Sequence, residues 1–246
     1  MKDRYASLKE GLVGAWIPSV SGSGFLLPDV SGRNNHGTLT NMASDDWVSS
    51  QYGRALDFDG TNDTVNIAFN RQPFQQATIS LFAFTRNTST TTLWFQNNFC
   101  GLFLSRFSAG KFLAFFDGTT LNNSAADEST TTILSNRWYH FAATNNGAVT
   151  RYYINGIAEN SYSDTILQNA STLIWIGSNA NTVQFVNGQM DDIRIYNRAL
   201  SESEIRLLAS RPGIGLTTQR RTAYYAPPSF NAGRLRRQQL IGSGVY

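Results

Sequence analysis

The sequence predicts an all-β protein, a two-sheet antiparallel jelly-roll sandwich with one short C-terminal helix and an extended basic arm. Three observations carry this reading. Short apolar runs with period-two alternation recur along the chain, separated by Gly, Asn, Asp and Ser turn signals. A single helix signal comes late, so the alternating strand–helix rhythm of a parallel sheet is missing. Beyond residue 206 arginines accumulate and acids disappear.

The composition supports a sizeable sandwich. Sixteen Phe, ten Tyr and five Trp among 246 residues supply a large aromatic core. Charged residues make up 15%, below the usual proportion of about a quarter, as expected where polar turn residues replace them.

Taken in order, strands are expected at 13–18, 37–40, 55–59, 64–68, 78–86, 92–96, 101–107, 111–116, 138–144, 151–154, 157–159, 173–176 and 189–196. In the last of these, Ile193 and Ile195 face one way and Arg194 and Tyr196 the other. Asn155-Gly156 between two such runs predicts a tight type I′ hairpin. Ser108-Ala109-Gly110 predicts a three-residue loop ending in a left-handed glycine. Ser201 and Glu204 form a capping box. Ile205, Leu207 and Leu208 give the helix behind it an apolar side, and Arg211-Pro212-Gly213 ends it. The organisation expected is one domain over 1–212 and an arm over 213–246, held open by Pro227-Pro228.

Charge is unevenly spread. Residues 206–246 hold seven Arg and no acid, leaving thirteen basic against seventeen acidic residues in the rest. The pI of 9.1 therefore belongs to the tail, an electrostatic handle for an acidic surface or a nucleic acid. Cys100 is the one cysteine, which excludes an intrachain disulfide. The first ten residues carry charges where a signal peptide needs an apolar run, and no stretch has the roughly 20 apolar residues of a membrane span. A soluble product outside the standard secretory route is expected.

Four segments resemble the laminin-G-like, concanavalin-A-like superfamily. The first is Gly-Leu-Val-Gly-Ala-Trp at 11–16 with Asp-Val-Ser-Gly-Arg-Asn-Asn-His-Gly at 29–37. The second is Gly-Arg-Ala-Leu-Asp-Phe-Asp-Gly at 53–60. The third is Arg-Trp-Tyr-His-Phe-Ala at 137–142 with Tyr-Ile-Asn-Gly at 153–156. The fourth is Gly-Gln-Met-Asp-Asp-Ile-Arg-Ile-Tyr-Asn-Arg-Ala-Leu-Ser at 188–201. They span about residues 11–210 in the family's order and imply its jelly-roll fold. That fold carries lectins, glucanases, adhesion modules and virion proteins, so it does not choose a function. The arm is similar in composition to tails on laminin-G-like proteins among tailed-phage structural genes.

Glycoside hydrolysis needs two carboxylates about 5–5.5 Å apart for retention, or a wider pair for inversion. The glucanase branch's Glu-x-Asp-x-x-Glu strand is absent, and Asp57 with Asp59 belongs to a structural segment. No nucleophile motif accompanies His36, His140 or Cys100, so an enzyme is not expected. A structural calcium, which relatives often hold near this edge, would draw on Asp191, Asp29 and Asn35, with oxygens of Ser31 and Gly32 nearby. By parity with Ile193 and Ile195, Asp191 points inward unless a bulge intervenes. The alternative for its carboxylate is hydrogen bonding to backbone amides or His36.

For glycan binding Trp47 is the best exposed candidate, with Trp94 and Trp175 read as core. The arm offers Arg220, Arg221, Tyr224, Tyr225, Phe230, Arg234, Arg236 and Arg237 for docking on a neighbouring subunit, in preference to nucleic acid. The function expected is a non-enzymatic structural protein of a phage-like virion, a head decoration or tail-associated subunit. It would be assembled in the host cytoplasm as part of an oligomer, with a carbohydrate-binding module as the alternative.

Overall fold

A computed structural model describes residues 5–71, 74–89, 92–97, 100–105, 107–116, 125–166, 171–179 and 183–216. Among these, fifteen strands and one α-helix form a two-sheet sandwich. The strands are β1 (Leu12–Trp16), β2 (Leu26–Leu27), β3 (Gly37–Thr40), β4 (Trp47–Ser50), β5 (Gly53–Asp59), β6 (Thr64–Arg71), β7 (Ala77–Thr85) and β8 (Thr92–Asn97). They continue with β9 (Cys100–Leu104), β10 (Phe112–Phe115), β11 (Arg137–Asn145), β12 (Val149–Ile154), β13 (Ile157–Ser163), β14 (Ser171–Ile176) and β15 (Asn187–Tyr196). Helix α1 (Glu202–Ser210) follows.

One sheet has eight strands in the order β13-β12-β11-β7-β15-β5-β4, with β1 beside the second half of β15. The other has seven, β10-β9-β8-β14-β6-β3-β2. All pairings are antiparallel among the described residues. The principal core lies between the sheets, where Ile79, Leu81, Phe141, Met190, Ile193 and Ile195 of one meet Val65, Ile67, Leu102, Phe112, Ile174 and Ile176 of the other. Cys100 is buried there too, as a small hydrophobe would be.

A second core covers part of the eight-stranded sheet's outer face. Leu8, Leu12 and Ile17 from the N-terminal segment, Ile205 and Leu208 from α1, and Ile214 close over Ala142, Tyr153 and Tyr196. The helix starts at the expected cap, with the Ser201 hydroxyl accepting from the Glu204 amide and Glu204 accepting from the Ser201 amide. It stops where the residue before a proline turns extended. Ile214 belongs to the packed body, so the body extends past the 212 boundary drawn from sequence.

The Asn155-Gly156 hairpin forms as expected, both residues having positive φ. A Cβ on Gly156 would come within 3.0 Å of Ala209, so this turn is also the seat of the helix. The β9–β10 connection is longer than the three residues expected, because the strands part at Leu104 and Phe112, although Gly110 is left-handed as foreseen. Strands β2 and β4 escaped the sequence reading. The first has two residues, and the second, Trp-Val-Ser-Ser, has no apolar alternation to betray it.

Candidate functional site

The three residues assigned to calcium serve separate backbone clusters. The Asp29 carboxylate accepts amides from Ala15 at 3.0 Å, Ser31 at 2.9 Å and Asn35 at 3.0 Å. The Asn35 side-chain amide donates to the Val13 carbonyl, and its own carbonyl accepts from the Trp16 indole at 2.7 Å. Both therefore tie the 29–36 loop onto β1. His36 accepts from the Asp29 amide through Nδ1.

Asp191 is fully buried and points to the outer face of its sheet, opposite Phe82. The reversal of its expected direction has a local cause. Asp192 has φ 50°, and the β15–β7 register shifts between Asp191 and Arg194, so a bulge flips the parity. The Asp191 Oδ1 accepts backbone amides from Ser19 at 3.2 Å and Asp192 at 2.8 Å, while Oδ2 has no partner. Burial, and next the Asp192 charge, push its carboxyl from 3.8 up to about 7. Among the described residues no group of three or more His, Cys, Asp and Glu is placed to hold a metal ion. Asp29 and Asn35 do not complete a donor set around Asp191, and no step below runs through calcium.

Trp47 is half-buried and packed against the principal core. Its indole donates to the Gly24 carbonyl at 2.8 Å, and the Arg54 guanidinium lies 4.8 Å from its ring centre. Gly22 abuts the same ring so closely that a Cβ there would come within 2.2 Å. The ring expected to be a free stacking platform is thus occupied by its own chain.

Trp175 goes the other way. It was read as core, but Ile174 and Ile176 on either side point into the sandwich, so strand alternation turns Trp175 out, half-buried. Register then builds a row across four strands of the seven-stranded sheet: Trp175 opposite Asn66, Asn66 opposite Thr38, Thr38 opposite Leu26. Leu26 is 48% exposed and Thr38 is exposed. Asn66 donates to the Thr40 hydroxyl at 2.9 Å, and its Oδ1 has no partner. That oxygen is buried, so what the face offers a ligand is the Trp175 ring and the exposed Thr38 hydroxyl in the same row, chemistry suited to a sugar: C–H groups against the ring face, a hydroxyl to the threonine. At its β9–β10 end the same face is buried, with Phe103 stacked on Phe115 at 5.5 Å, while the part around Trp175 and Thr38 carries no helix among the described residues. The side chain of Trp94, the third aromatic candidate, lies outside the described residues.

Asp57, Asp59, Glu128 and Glu159 have structural tasks. Asp57 pairs with Arg86, and the Asp59 carboxylate accepts the Thr61 and Asn62 amides. Glu128 accepts the Phe107 and Ser108 amides, and Glu159 ties down Thr130 and Thr131. Arg220, Arg221, Tyr224, Tyr225, Phe230, Arg234, Arg236 and Arg237 lie outside the described residues.

Residues 59–206 match the family model described as the concanavalin A-like lectin/glucanases superfamily. No curated protein matches the chain in sequence. Among solved structures, domain 4 of AbnA, a GH43 extracellular arabinanase from Geobacillus stearothermophilus, in complex with arabinotriose, is similar with TM-score 0.64 and 20% identity. The match covers 80% of this chain and 98% of that one. The botulinum neurotoxin serotype D binding domain gives 0.58 and 14%, over 82% of this chain and 52% of that one. Trypanosoma rangeli sialidase in complex with sialic acid gives 0.58 and 17%, over 81% and 32%. The chain thus spans about half of the toxin domain and a third of the sialidase, and at these identities the likeness is one of fold.

Proposed function

The chain belongs to the concanavalin A-like lectin/glucanases superfamily, and from that premise we propose that it is a glycan-binding module that binds without cleaving. The carbohydrate would lie on the open face of the seven-stranded sheet, across Trp175, Asn66 and Thr38. The observation that carries this reading is Trp175 itself, an aromatic between two inward-facing isoleucines turned out onto a face that no helix covers among the described residues. A large ring left half in solvent, in one row with the exposed Leu26, is the kind of apolar surface a ligand can cover. The fold-level neighbours add support, since one is a domain in complex with arabinotriose and another a sialidase in complex with sialic acid.

The test is titration of the full chain with arabinotriose and a panel of neutral and acidic oligosaccharides. Trp175→Ala should weaken binding about tenfold, a loss of about 1.4 kcal/mol, and leave the melting temperature nearly unchanged. Undiminished binding by the variant would rule out this face, and silence across the panel would rule out the function.

The segregation of charge favours a second reading. Seven arginines without an acid over 206–246 fit an arm that docks on other subunits of a virion, with the sandwich displayed outward. Co-expression with neighbouring gene products, with and without residues 217–246, tests it: assembly that survives the deletion would overturn the arm's role.

A further inference from the structure

The second core leaves one end of the eight-stranded sheet's outer face uncovered. At that end Trp138 of β11 stands opposite Phe84 of β7, Phe84 opposite Gln189 of β15, and Gln189 opposite Asp57 of β5. All four are half-buried. The row crosses three strand spacings, about 14 Å. Tyr52, at the β4–β5 turn and 37% exposed, leans over it. Its ring meets Phe82 at 5.2 Å and Trp138 at 5.7 Å, the latter edge-on at 77°.

We propose that this end of the sheet is a second binding site, separate from the Trp175 face, and that it takes a single neutral glycan chain. The ligand's chemical class rests on the glycan-binding reading above; the site does not depend on the Trp175 row.

Three features define the ligand. Trp138 and Phe84 lie 5.9 Å apart with their planes tilted by 47°. Two rings at that angle cannot both lie flat on a planar crystalline surface, but they can follow successive sugars of a twisted soluble chain. Tyr52 stands as a wall at right angles to Trp138, so a sugar on the Trp138 ring is stopped on that side and the chain runs toward Gln189 and Asp57.

The far end holds more carboxylate than free cation. Arg86 pairs with Asp57 at 2.5 Å and leans toward Asn187 Oδ1 at 3.4 Å. Asp59, exposed, adds a second carboxylate on β5, and the buried Asp63 accepts the Asp59 amide beside it. An acidic sugar would meet these carboxylates, with the Arg86 guanidinium already paired. A hydroxyl-rich neutral chain meets a planar carboxylate, guanidinium and amide, each able to take paired hydroxyls.

The experiment follows the indole N–H signals of the five tryptophans in the full chain, with Trp138 and Trp175 signals assigned by Trp138→Phe and Trp175→Phe. Maltotriose and xylotriose serve as neutral probes, sialyllactose as the acidic one, and crystalline cellulose as the planar surface. The expected result is a shift of the Trp138 signal with a neutral probe, retained in Trp175→Ala. Trp138→Ala should weaken that binding about tenfold, with Trp138→Phe, which keeps a ring in the row, losing less. A shift of Trp175 alone leaves the proposed function standing and overturns this site. A shift of Trp138 alone does the reverse to the Trp175 face while supporting this one. Preference for sialyllactose, or retention on cellulose without a response to soluble sugars, overturns the ligand assigned, and no shift with any probe overturns both.

Discussion

The outer face of the eight-stranded sheet is largely spent on folding, whereas among the described residues the β2–β3–β6–β14 part of the seven-stranded sheet's outer face is left half-exposed or exposed. Under the N-terminal segment and α1, the first holds Arg194 with no exposure, its guanidinium on Asp192 at 2.5 and 2.9 Å. Asp192 also takes the Gly213 amide at 2.8 Å, so the pair fastens the segment leaving the helix. Among the described residues the second face presents Trp175 and Thr38 with no such lid. Polar groups on the covered face depend on the protein for partners, as Asp192 finds them and Asp191 Oδ2 does not, while a hydroxyl on the open face can be matched by a ligand. The same alternation of strand residues yields a fastening on one side and a display on the other, and what differs is whether the chain returns to cover it.

Breaking the fastening gives the largest effect. Arg194→Met strands the Asp192 carboxylate in a buried setting and should cost about 3–5 kcal/mol, read by chemical denaturation. The double variant Asp192→Asn/Arg194→Met should recover part of this, because no buried charge remains. A single variant as stable as the parent would mean that the covered face tolerates an unmatched charge and that the contrast with the open face is false.

The extent of the lid can be sharpened by truncation. Ending the chain after Leu216 keeps Ile214 in the second core and should leave the melting temperature unchanged. Ending it after Pro212 removes Ile214 and the amide bonded to Asp192, and should cost about 2–4 kcal/mol. Equal melting of the two would show that 213–216 contribute nothing.

Much of this was legible in the sequence because it is periodic or local. The Asn155-Gly156 turn and the Ser201–Glu204 box are fixed by neighbours in the chain, and the superfamily showed in four ordered segments. What escaped depended on contacts distant in sequence. Whether Asp191 faces inward turns on a bulge, and the bulge at Asp192 serves the Arg194–Gly213 arrangement, which no local pattern announces. Trp175 was assigned to the core from its apolar neighbours, though parity with Ile174 and Ile176 contained the answer. Trp47 looked free because the approach of Gly22 and Arg54 cannot be seen from a run of letters. Asn66 and Thr38 became site residues only when strands from distant parts of the chain paired beside Trp175.

The covered face also sets a pH signature with two opposing parts. Asp191 titrates near 7 in the fold against 3.8 ordinarily, so between about pH 4 and 7 the folded state holds more protons than the unfolded one. Stability from this group is present at low pH and falls as pH rises. His140 is buried, bonded to the Ser80 hydroxyl at 2.9 Å, and burial followed by the Arg194 charge lowers it from 6.5 to about 3. Its neutral form is favoured in the fold, so its contribution falls as pH drops below about 6.5. The two slopes oppose each other between about pH 4 and 6.5; Asp63, pushed by burial from 3.8 up to about 6, adds to the Asp191 side, so the parent protein should stabilise modestly as it is acidified through that window. Asp191→Asn leaves Asp63 against His140 and should flatten the profile. His140→Gln should do the opposite, leaving a protein that stabilises as it is acidified from neutrality. Thermal melts across that window decide it: parallel profiles for the two variants would mean that neither group is sealed beneath the lid as the geometry requires.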